Sequence, residues 1–438
     1  MSKKYNLVIL CGVNPYAGGG IIALDMMKAF RNDGHDVQVM SNQRFETKDK
    51  CIISLKQQNQ NEKLSHKYSL SRIAKKLLRP FKTGHTISKY NMFSLKGQKS
   101  VDYSKSVMNE LEKNPDFFIY MFSHSFLTPK DLQFLNQQTK SPILFWLMDS
   151  AVMTGGCHFT WNCKGYTVHC GSCPGINSTN GRDLTYENMM LKQNIFHQID
   201  LYAIYGGEKM KNMLLESSLF KTQKIYKASP PVDKDYYTSL MREKSRTDLN
   251  FPQGKKLIFF AADQLSSVRK GMRILLKALT ILADQLAYND RENICLVIAG
   301  NNIKAIEKEI PFQYKYLGFL SHKDFAKVMS SADIFICPSI EDYGPMVINQ
   351  SFMSGTPVVA FDMGVASEIV HTGATGYRAK LGDAKDLAKG IKYILQLSED
   401  AWTDMSENCR ALALKDFSVE RVRDDFYGIF EDVLGHRN

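Results

Sequence analysis

Short apolar runs recur along the chain and alternate with segments of helical periodicity. Runs of four to seven apolar residues bounded by Gly, Pro, Asn or Asp are typical of strands buried on both faces of a parallel sheet. We predict such strands at 5–11, 37–40, 117–122, 143–147, 201–205, 224–227, 256–262, 296–299, 314–319, 334–337 and 357–361. A polar segment at 234–254 separates two groups of strands, so the pattern predicts an α/β protein with two doubly wound domains.

One stretch, residues 332–370, reads as strand, polar loop, helix and strand. The loop carries Glu341 and Gly344, Pro345 suits the first position of a helix, and Gly355 closes that helix. This order places an acidic side chain and several backbone N–H groups at the carboxyl end of a strand. Open α/β sheets bind their ligands at that edge.

Two further loops at strand ends have a composition suited to anionic ligands. Arg269 and Lys270 precede Gly271 after the strand at 256–262, where their charges suit a phosphate. Gly19 and Gly20 belong to a glycine run after the first strand, where the backbone can approach a phosphate or sugar closely. Each loop on its own also fits an ordinary solvated turn.

Together these residues resemble the retaining glycosyltransferases of family 4, which have the GT-B fold. The resemblance is most specific over 256–380. It implies two facing Rossmann-like domains and a C-terminal helix that crosses back to the first. The corresponding segments are 1–233 for the acceptor-side domain with an insert at 154–174, 234–254 for a linker, 255–416 for the nucleotide-sugar domain, and 417–438 for the returning helix.

The resemblance also implies roles for the residues of the second domain. Glu341 would hold hydroxyls of the donor sugar, and backbone amides around Gly344 and Met346 would lie near the diphosphate. Asn349 stands where the family usually has a Glu that binds the ribose, so its contact lacks charge assistance. Lys270 matches the family's Lys that holds the departing diphosphate, whereas the family's Arg position holds Gln264, so that Arg269 would take over its role. Phe319 is a candidate for contact with the base.

In the first domain the resemblance is weaker. Gly19 and Gly20 would face the donor diphosphate, and Asp149 would approach the donor sugar. The family usually has His immediately before this Asp, but here the residue is Met148. His124, at a neighbouring strand end, is either an acceptor contact or a structural residue.

Four of the nine cysteines fall within 17 residues, and the last two form a C-x-x-C-P turn. They are Cys157, Cys163, Cys170 and Cys173. Four thiolates suffice for a closed tetrahedral zinc site, so the spacing predicts a structural zinc, with buried thiols or disulfides as alternatives. A similar insert occurs in some bacterial polysaccharide glycosyltransferases of the family, and would order a loop beside the acceptor cleft.

The net charge of +11 favours anionic partners, whereas no basic tail or nucleic-acid motif is visible. Residues 63–99 contain ten Lys or Arg and no Asp or Glu, and 70–81 has the spacing of a basic amphipathic helix. Such a helix either lies on an anionic membrane or packs on its own domain. No apolar run is long enough to span a bilayer, and the first strand lacks a signal-peptide cleavage pattern, so we expect a cytoplasmic protein, either free or at the inner face of the plasma membrane.

We therefore expect a retaining transferase that moves a sugar from a UDP- or GDP-sugar to a glycan or lipid-linked acceptor in bacterial surface polysaccharide synthesis, without a catalytic cofactor. Three alternatives remain. A nucleotide-sugar epimerase would turn over without an acceptor. An inactive glycan-binding or partner scaffold, which Met148 and Asn349 make conceivable, would bind without turnover. A basic membrane or nucleic-acid binder would lose binding at high salt.

Overall fold

The computed structural model describes residues 3–55, 103–123 and 126–436. The predicted basic helix at 70–81 and His124 lie outside the described residues. Within the described part of the chain, no helix is long and apolar enough to cross a membrane.

Two all-parallel sheets organise the described residues. The first has the order β3-β2-β1-β4-β5-β6-β7 and the second the order β10-β9-β8-β11-β12-β13. The strands are β1 Asn6–Cys11, β2 Asp36–Ser41, β3 Ile52–Ser54, β4 Phe117–Met121, β5 Ile143–Trp146, β6 Leu201–Tyr205, β7 Ile225–Lys227, β8 Lys256–Gln264, β9 Ile294–Asn301, β10 Gln313–Tyr316, β11 Ile334–Cys337, β12 Val358–Phe361 and β13 Gly376–Ala379. The predicted α/β class with two doubly wound domains is therefore confirmed.

Helices cover both faces of each sheet, which explains why the central strands are apolar throughout. The helices are α1 Ile21–Asn32, α2 Tyr103–Glu110, α3 Pro129–Thr139, α4 Leu184–Phe196, α5 Glu208–Glu216, α6 Arg242–Asp248, α7 Met272–Gln285, α8 Tyr288–Glu292, α9 His322–Ser331, α10 Met346–Met353, α11 Ala366–Ile369, α12 Ala384–Leu395, α13 Glu399–Phe417 and α14 Val419–Gly435.

The last helix, α14, returns to the first domain as predicted. It begins at Ser418, whose extended backbone separates it from α13 and whose hydroxyl accepts the N–H of Arg421. Its apolar face packs on the first sheet, where the rings of Phe430 and Phe117 are stacked with centroids 4.4 Å apart. The first hydrophobic core thus includes side chains from both ends of the sequence.

The chain passes between the two domains at adjacent places. Val232 lies on the way out of the first domain, and its N–H donates to the carbonyl of Phe417, 2.7 Å away, on the way back. Beyond this point α6 is anchored to the second domain, because Arg242 and Arg246 both bind the buried carboxylate of Asp333. The segment predicted as a linker therefore contains a helix fixed by ion pairs.

Candidate active site

The loop after β11 faces the first domain across the cleft between the sheets. Its Glu341 side chain is only 8% exposed, and Oε2 lies 2.9 Å from Nζ of Lys209 on α5. The backbone N–H of Trp161 donates to Oε1 at 3.3 Å. Each carboxylate oxygen has one of these partners and keeps lone-pair capacity for further donors. Two elements of the first domain thus orient the side chain expected to hold the donor sugar.

The two predicted cations converge beside Glu341 on a residue that sequence reasoning missed, Asp342. Oδ2 of Asp342 accepts from Nη1 of Arg269 at 2.5 Å and from Nζ of Lys270 at 2.8 Å. Burial opposes ionisation of Asp342, but the charges of Lys270 and Arg269 hold its pKa down to about 2. The carboxylate is therefore ionised at neutral pH.

Gly271 allows the turn that carries Arg269 and Lys270 to lie directly on the end of β11. Its φ is +70°, and a Cβ atom there would lie 1.7 Å from the carbonyl oxygen of Pro338. The N–H of Ile340 also donates to the carbonyl of Arg269, at 2.9 Å. The backbone of the loop that carries Glu341 is thus fixed to the turn that carries the cations.

The cysteine insert reaches across the cleft and touches these loops. The ring of Phe159 stacks on that of Tyr343, and the Arg269 guanidinium lies 3.9 Å from the Phe159 ring centroid. The hydroxyl of Tyr343 accepts the N–H of Thr160 at 3.1 Å and donates to Ser150 Oγ at 3.0 Å. The insert therefore forms one wall of the site. The aromatic residues between its cysteines were the available signal for this role.

Asp149 lies at the base of the insert, where Nδ1 of His158 is 2.7 Å from its Oδ2. Its Oδ1 accepts the N–H of Ala151 at 2.8 Å. His158 is almost fully buried. The pair connects the end of β5 to the insert.

The cysteine side chains lie in one region, and backbone N–H groups donate to them. Cys170 Sγ accepts from Gly155 at 3.1 Å and Cys163 Sγ accepts from Gly165 at 3.5 Å. Burial raises the pKa of Cys157 to about 12 and that of Cys170 to about 11. Across the described ranges, no three His, Cys, Asp or Glu side chains are placed so that they could hold a metal ion. The zinc site therefore stays a prediction.

The remaining predicted binding residues have different surroundings. Asn349 is buried, its Nδ2 donates to the carbonyl of Pro230 at 3.5 Å, and its Oδ1 has no hydrogen-bond partner among the described residues. Met346 begins α10 and packs against the core of the first domain. Phe319 is 58% exposed, after β10. Around Gly344 there is room for a side chain, since an added Cβ would meet only Val365, at 3.8 Å.

The glycine loop of the first domain is required for close packing. A Cβ on Gly20 would lie 2.1 Å from the carbonyl oxygen of Asn14, and one on Gly19 would lie 2.7 Å from the Phe122 ring. Glycine at these two positions therefore has a structural reason, and a phosphate contact there stays a prediction.

A cavity of about 470 Å³ opens between the domains next to Lys209. The lining combines an indole, an amide and several carboxylates, including Trp161, Asn212, Asp362 and Glu368. The backbone of Trp161 is left-handed, with φ +52°. The carboxylate of Glu368 crosses the cleft and accepts the N–H of Glu208 at 2.8 Å. Aromatic and hydrogen-bonding side chains of this kind suit a polyhydroxylated ligand.

The family model described as "Glycosyl transferases group 1" matches residues 241–412, which span the cations, Glu341 and Asn349. The chain carries a glycosyl transferases group 1 domain. Its resemblance to family 4 is thereby confirmed for this domain, while the cysteine insert lies outside the matched residues.

Curated relatives match the chain over part of their length. It is 27% identical over 185 residues to a phosphatidyl-myo-inositol mannosyltransferase of Mycobacterium leprae, which covers 41% of this chain and 47% of the relative. It is 24% identical over 226 residues to a D-inositol 3-phosphate glycosyltransferase of Corynebacterium aurimucosum, with 48% and 52% covered. The chain thus spans about half the length of these relatives.

Solved structures match the chain over nearly its whole length at low identity. The glycosyltransferase WaaG, involved in lipopolysaccharide biosynthesis, has a TM-score of 0.63 at 14% identity, covering 97% of this chain and 99% of WaaG. Anabaena HepE in complex with UDP-glucose has a TM-score of 0.63 at 15% identity, with 98% and 100% covered. These likenesses establish the GT-B fold.

Proposed function

We propose that this protein is a retaining glycosyltransferase that moves a sugar from a UDP- or GDP-sugar to a glycan or lipid-linked acceptor in bacterial surface polysaccharide synthesis. The proposal rests on the convergence of Arg269, Lys270 and Glu341 at the carboxyl edge of the second sheet, inside the region that matches the group 1 model. The binding of UDP-glucose by HepE, which shares the fold, supports this class of donor.

In this proposal, charge stabilisation of the leaving group provides most of the catalysis. Lys270 and Arg269 stabilise the nucleoside diphosphate as it departs, because negative charge develops there. Glu341 accepts hydrogen bonds from donor hydroxyls and holds the sugar in a fixed orientation. The acceptor hydroxyl attacks from the face that the diphosphate leaves, and a leaving phosphate oxygen takes its proton.

One feature of the cleft suits the donor, and another suits the acceptor. The unpartnered Oδ1 of buried Asn349 can accept from a ribose hydroxyl, as its sequence position implies. The cavity beside Lys209 and Trp161 offers an indole face, an amide and carboxylates to the hydroxyls of an acceptor glycan. Asn349 would thus contact the donor, and the cavity would hold the acceptor.

Calorimetric titration of the purified chain with UDP and GDP tests donor binding. We expect one nucleotide to bind, and Lys270→Ala to weaken that binding by about tenfold or more. Lys277→Ala, which removes an exposed charge from the neighbouring helix α7, should bind like the wild type. Equal affinity in all three proteins would overturn the role of the cations.

Turnover then distinguishes transfer from the alternatives. Release of nucleoside diphosphate from the bound donor should require a glycan or glycolipid acceptor, and NMR of the product should show the anomeric configuration of the donor. Glu341→Gln should abolish turnover while nucleotide binding persists. A sugar converted without acceptor would indicate an epimerase, and binding without any turnover would indicate an inactive scaffold.

Two further proposals rest on sequence. The basic segment at 63–99 supports contact with an anionic membrane at the cytoplasmic face. Cosedimentation with phosphatidylglycerol vesicles but not phosphatidylcholine vesicles tests it. The spacing of the four cysteines supports a structural zinc. Bound zinc that is lost in Cys163→Ser would support the site, and metal-free protein would overturn it.

A further inference from the structure

Asp342 lies between the two cations that are proposed to hold the donor diphosphate. Its Oδ2 accepts from both Arg269 and Lys270, while Oδ1 accepts the N–H of Tyr343 at 3.0 Å. The side chain is 11% exposed. Three donors therefore fix this carboxylate in the loop that carries Glu341.

The net positive charge of the two cations and Asp342 together is smaller than the negative charge of a diphosphate. Arg269 and Lys270 contribute two positive charges and Asp342 removes one, so the cluster presents one net positive charge to a ligand with about two negative charges. Both cations keep further N–H groups, because a guanidinium has five and an ammonium three. A diphosphate can therefore bind beside Asp342, but against its repulsion.

Contacts with protein groups also hold the two cations in place. Arg269 lies over the Phe159 ring and donates to the carbonyl of Glu341 at 3.3 Å as well as to Asp342. Side chains held in this way lose little further freedom when a phosphate arrives. Asp342 therefore has two opposing effects, one on the geometry of the cations and one on their charge.

We propose that Asp342 is an internal counter-ion that competes with the nucleoside diphosphate for Arg269 and Lys270. This competition lowers the affinity of the protein for the donor and for the released nucleotide. The proposal rests on the proposed function, since it takes the two cations as the diphosphate site. Its consequence is rapid release of the product nucleotide, together with cations already aligned for the next donor.

The test is titration of the full chain with UDP and GDP, comparing wild type with Asp342→Asn. The variant keeps the shape and loses the charge, so we expect the nucleotide that binds wild type to bind about tenfold tighter or more. Its inhibition constant as a product should fall in parallel. Asp284→Asn, an exposed carboxylate on α7, makes the same change in net charge and should leave affinity unchanged.

Further arms separate the possible failures. Unchanged or weaker binding in Asp342→Asn, with binding still lost in Lys270→Ala, would overturn the counter-ion and leave the proposed function standing. Unchanged binding in Lys270→Ala would overturn the role of the cations and with it the counter-ion, whereas acceptor-dependent turnover tests the proposed function separately. If Asp342→Asn does not fold, Asp342→Ser removes the charge with a smaller side chain. In that variant formate should weaken nucleotide binding by refilling the carboxylate position, and no effect of formate would contradict the proposal.

Discussion

Phe159 and Tyr343 lie face to face across the cleft, with ring centroids 5.4 Å apart and planes 8° apart. One ring comes from the cysteine insert of the first domain and the other from the loop that carries Glu341. Arg269 packs on the Phe159 ring as well. The stack therefore links the relative position of the two domains to the position of Arg269, the cation proposed to bind the diphosphate.

We expect Phe159→Leu to raise KM for the donor by about three- to tenfold, because a stacked aromatic pair contributes about 0.5–1.5 kcal/mol beyond its buried area. The cation–π contact of Arg269 is lost in the same variant. Steady-state kinetics at varied donor concentration measures the effect. Phe159→Tyr keeps the ring and should behave like wild type. A KM unchanged in Phe159→Leu would mean that the insert does not position Arg269.

Asp25 makes stability depend on pH. Burial, with the nearby Asp233, raises the pKa of this carboxyl on α1 to about 7. Because that value is above the unfolded value of about 3.9, the protonated form favours folding. Its contribution to the free energy of unfolding is complete below about pH 4 and is lost as the pH rises to about 7.

Asp25→Asn should therefore be more stable than wild type at pH 8, by up to about 4 kcal/mol, and nearly equal to it at pH 4. Urea unfolding across this pH range provides the measurement. Asp284→Asn, on an exposed surface, should follow the wild-type profile. Parallel profiles for wild type and Asp25→Asn would show that Asp25 stays ionised in the folded chain.

Phe430 should be a major source of stability for the first domain, although it lies on the last helix. It is fully buried between Phe117 and Phe30, so Phe430→Ala should cost about 3–5 kcal/mol. Hydrogen exchange should accelerate in β1 and β4 more than in the second sheet. The exposed neighbour provides the control, since Glu431→Ala should change stability by less than about 0.5 kcal/mol. Uniform acceleration in both sheets would contradict this assignment.

The sequence predicts the buried strands well, because parallel strands covered on both faces are apolar throughout. β1, β4, β5, β8, β11 and β12 lie within a few residues of the predicted runs. The prediction at 314–319 was too long: β10 is an exposed edge strand, and Gly318 has φ +66°, so the chain turns there. The short edge strands β3 and β13 were missed, because β3 has only three residues and β13 lacks an apolar run.

Within the candidate site, residues near one another in sequence could be predicted and contacts across the cleft could not. The place of Glu341 and Gly344 follows from the loop after a buried strand, and Asn349 was added through the resemblance to the family. The contact of Phe159 with Tyr343 joins residues that are distant in the chain, and no periodicity indicates it. Asp342 was passed over because a carboxylate next to Glu341 reads as a polar loop residue until Arg269 and Lys270 are seen to bind it.

The position of α14 has a consequence for synthesis on the ribosome. The first domain takes its core from residues near the N-terminus and from Phe426, Ile429 and Phe430 of a helix that is translated after the whole second domain. Domains otherwise tend to fold in the order in which they emerge. Here the second domain, which is continuous in sequence, can complete its core first. The apolar surface of the first domain that α14 covers stays exposed until this helix leaves the exit tunnel.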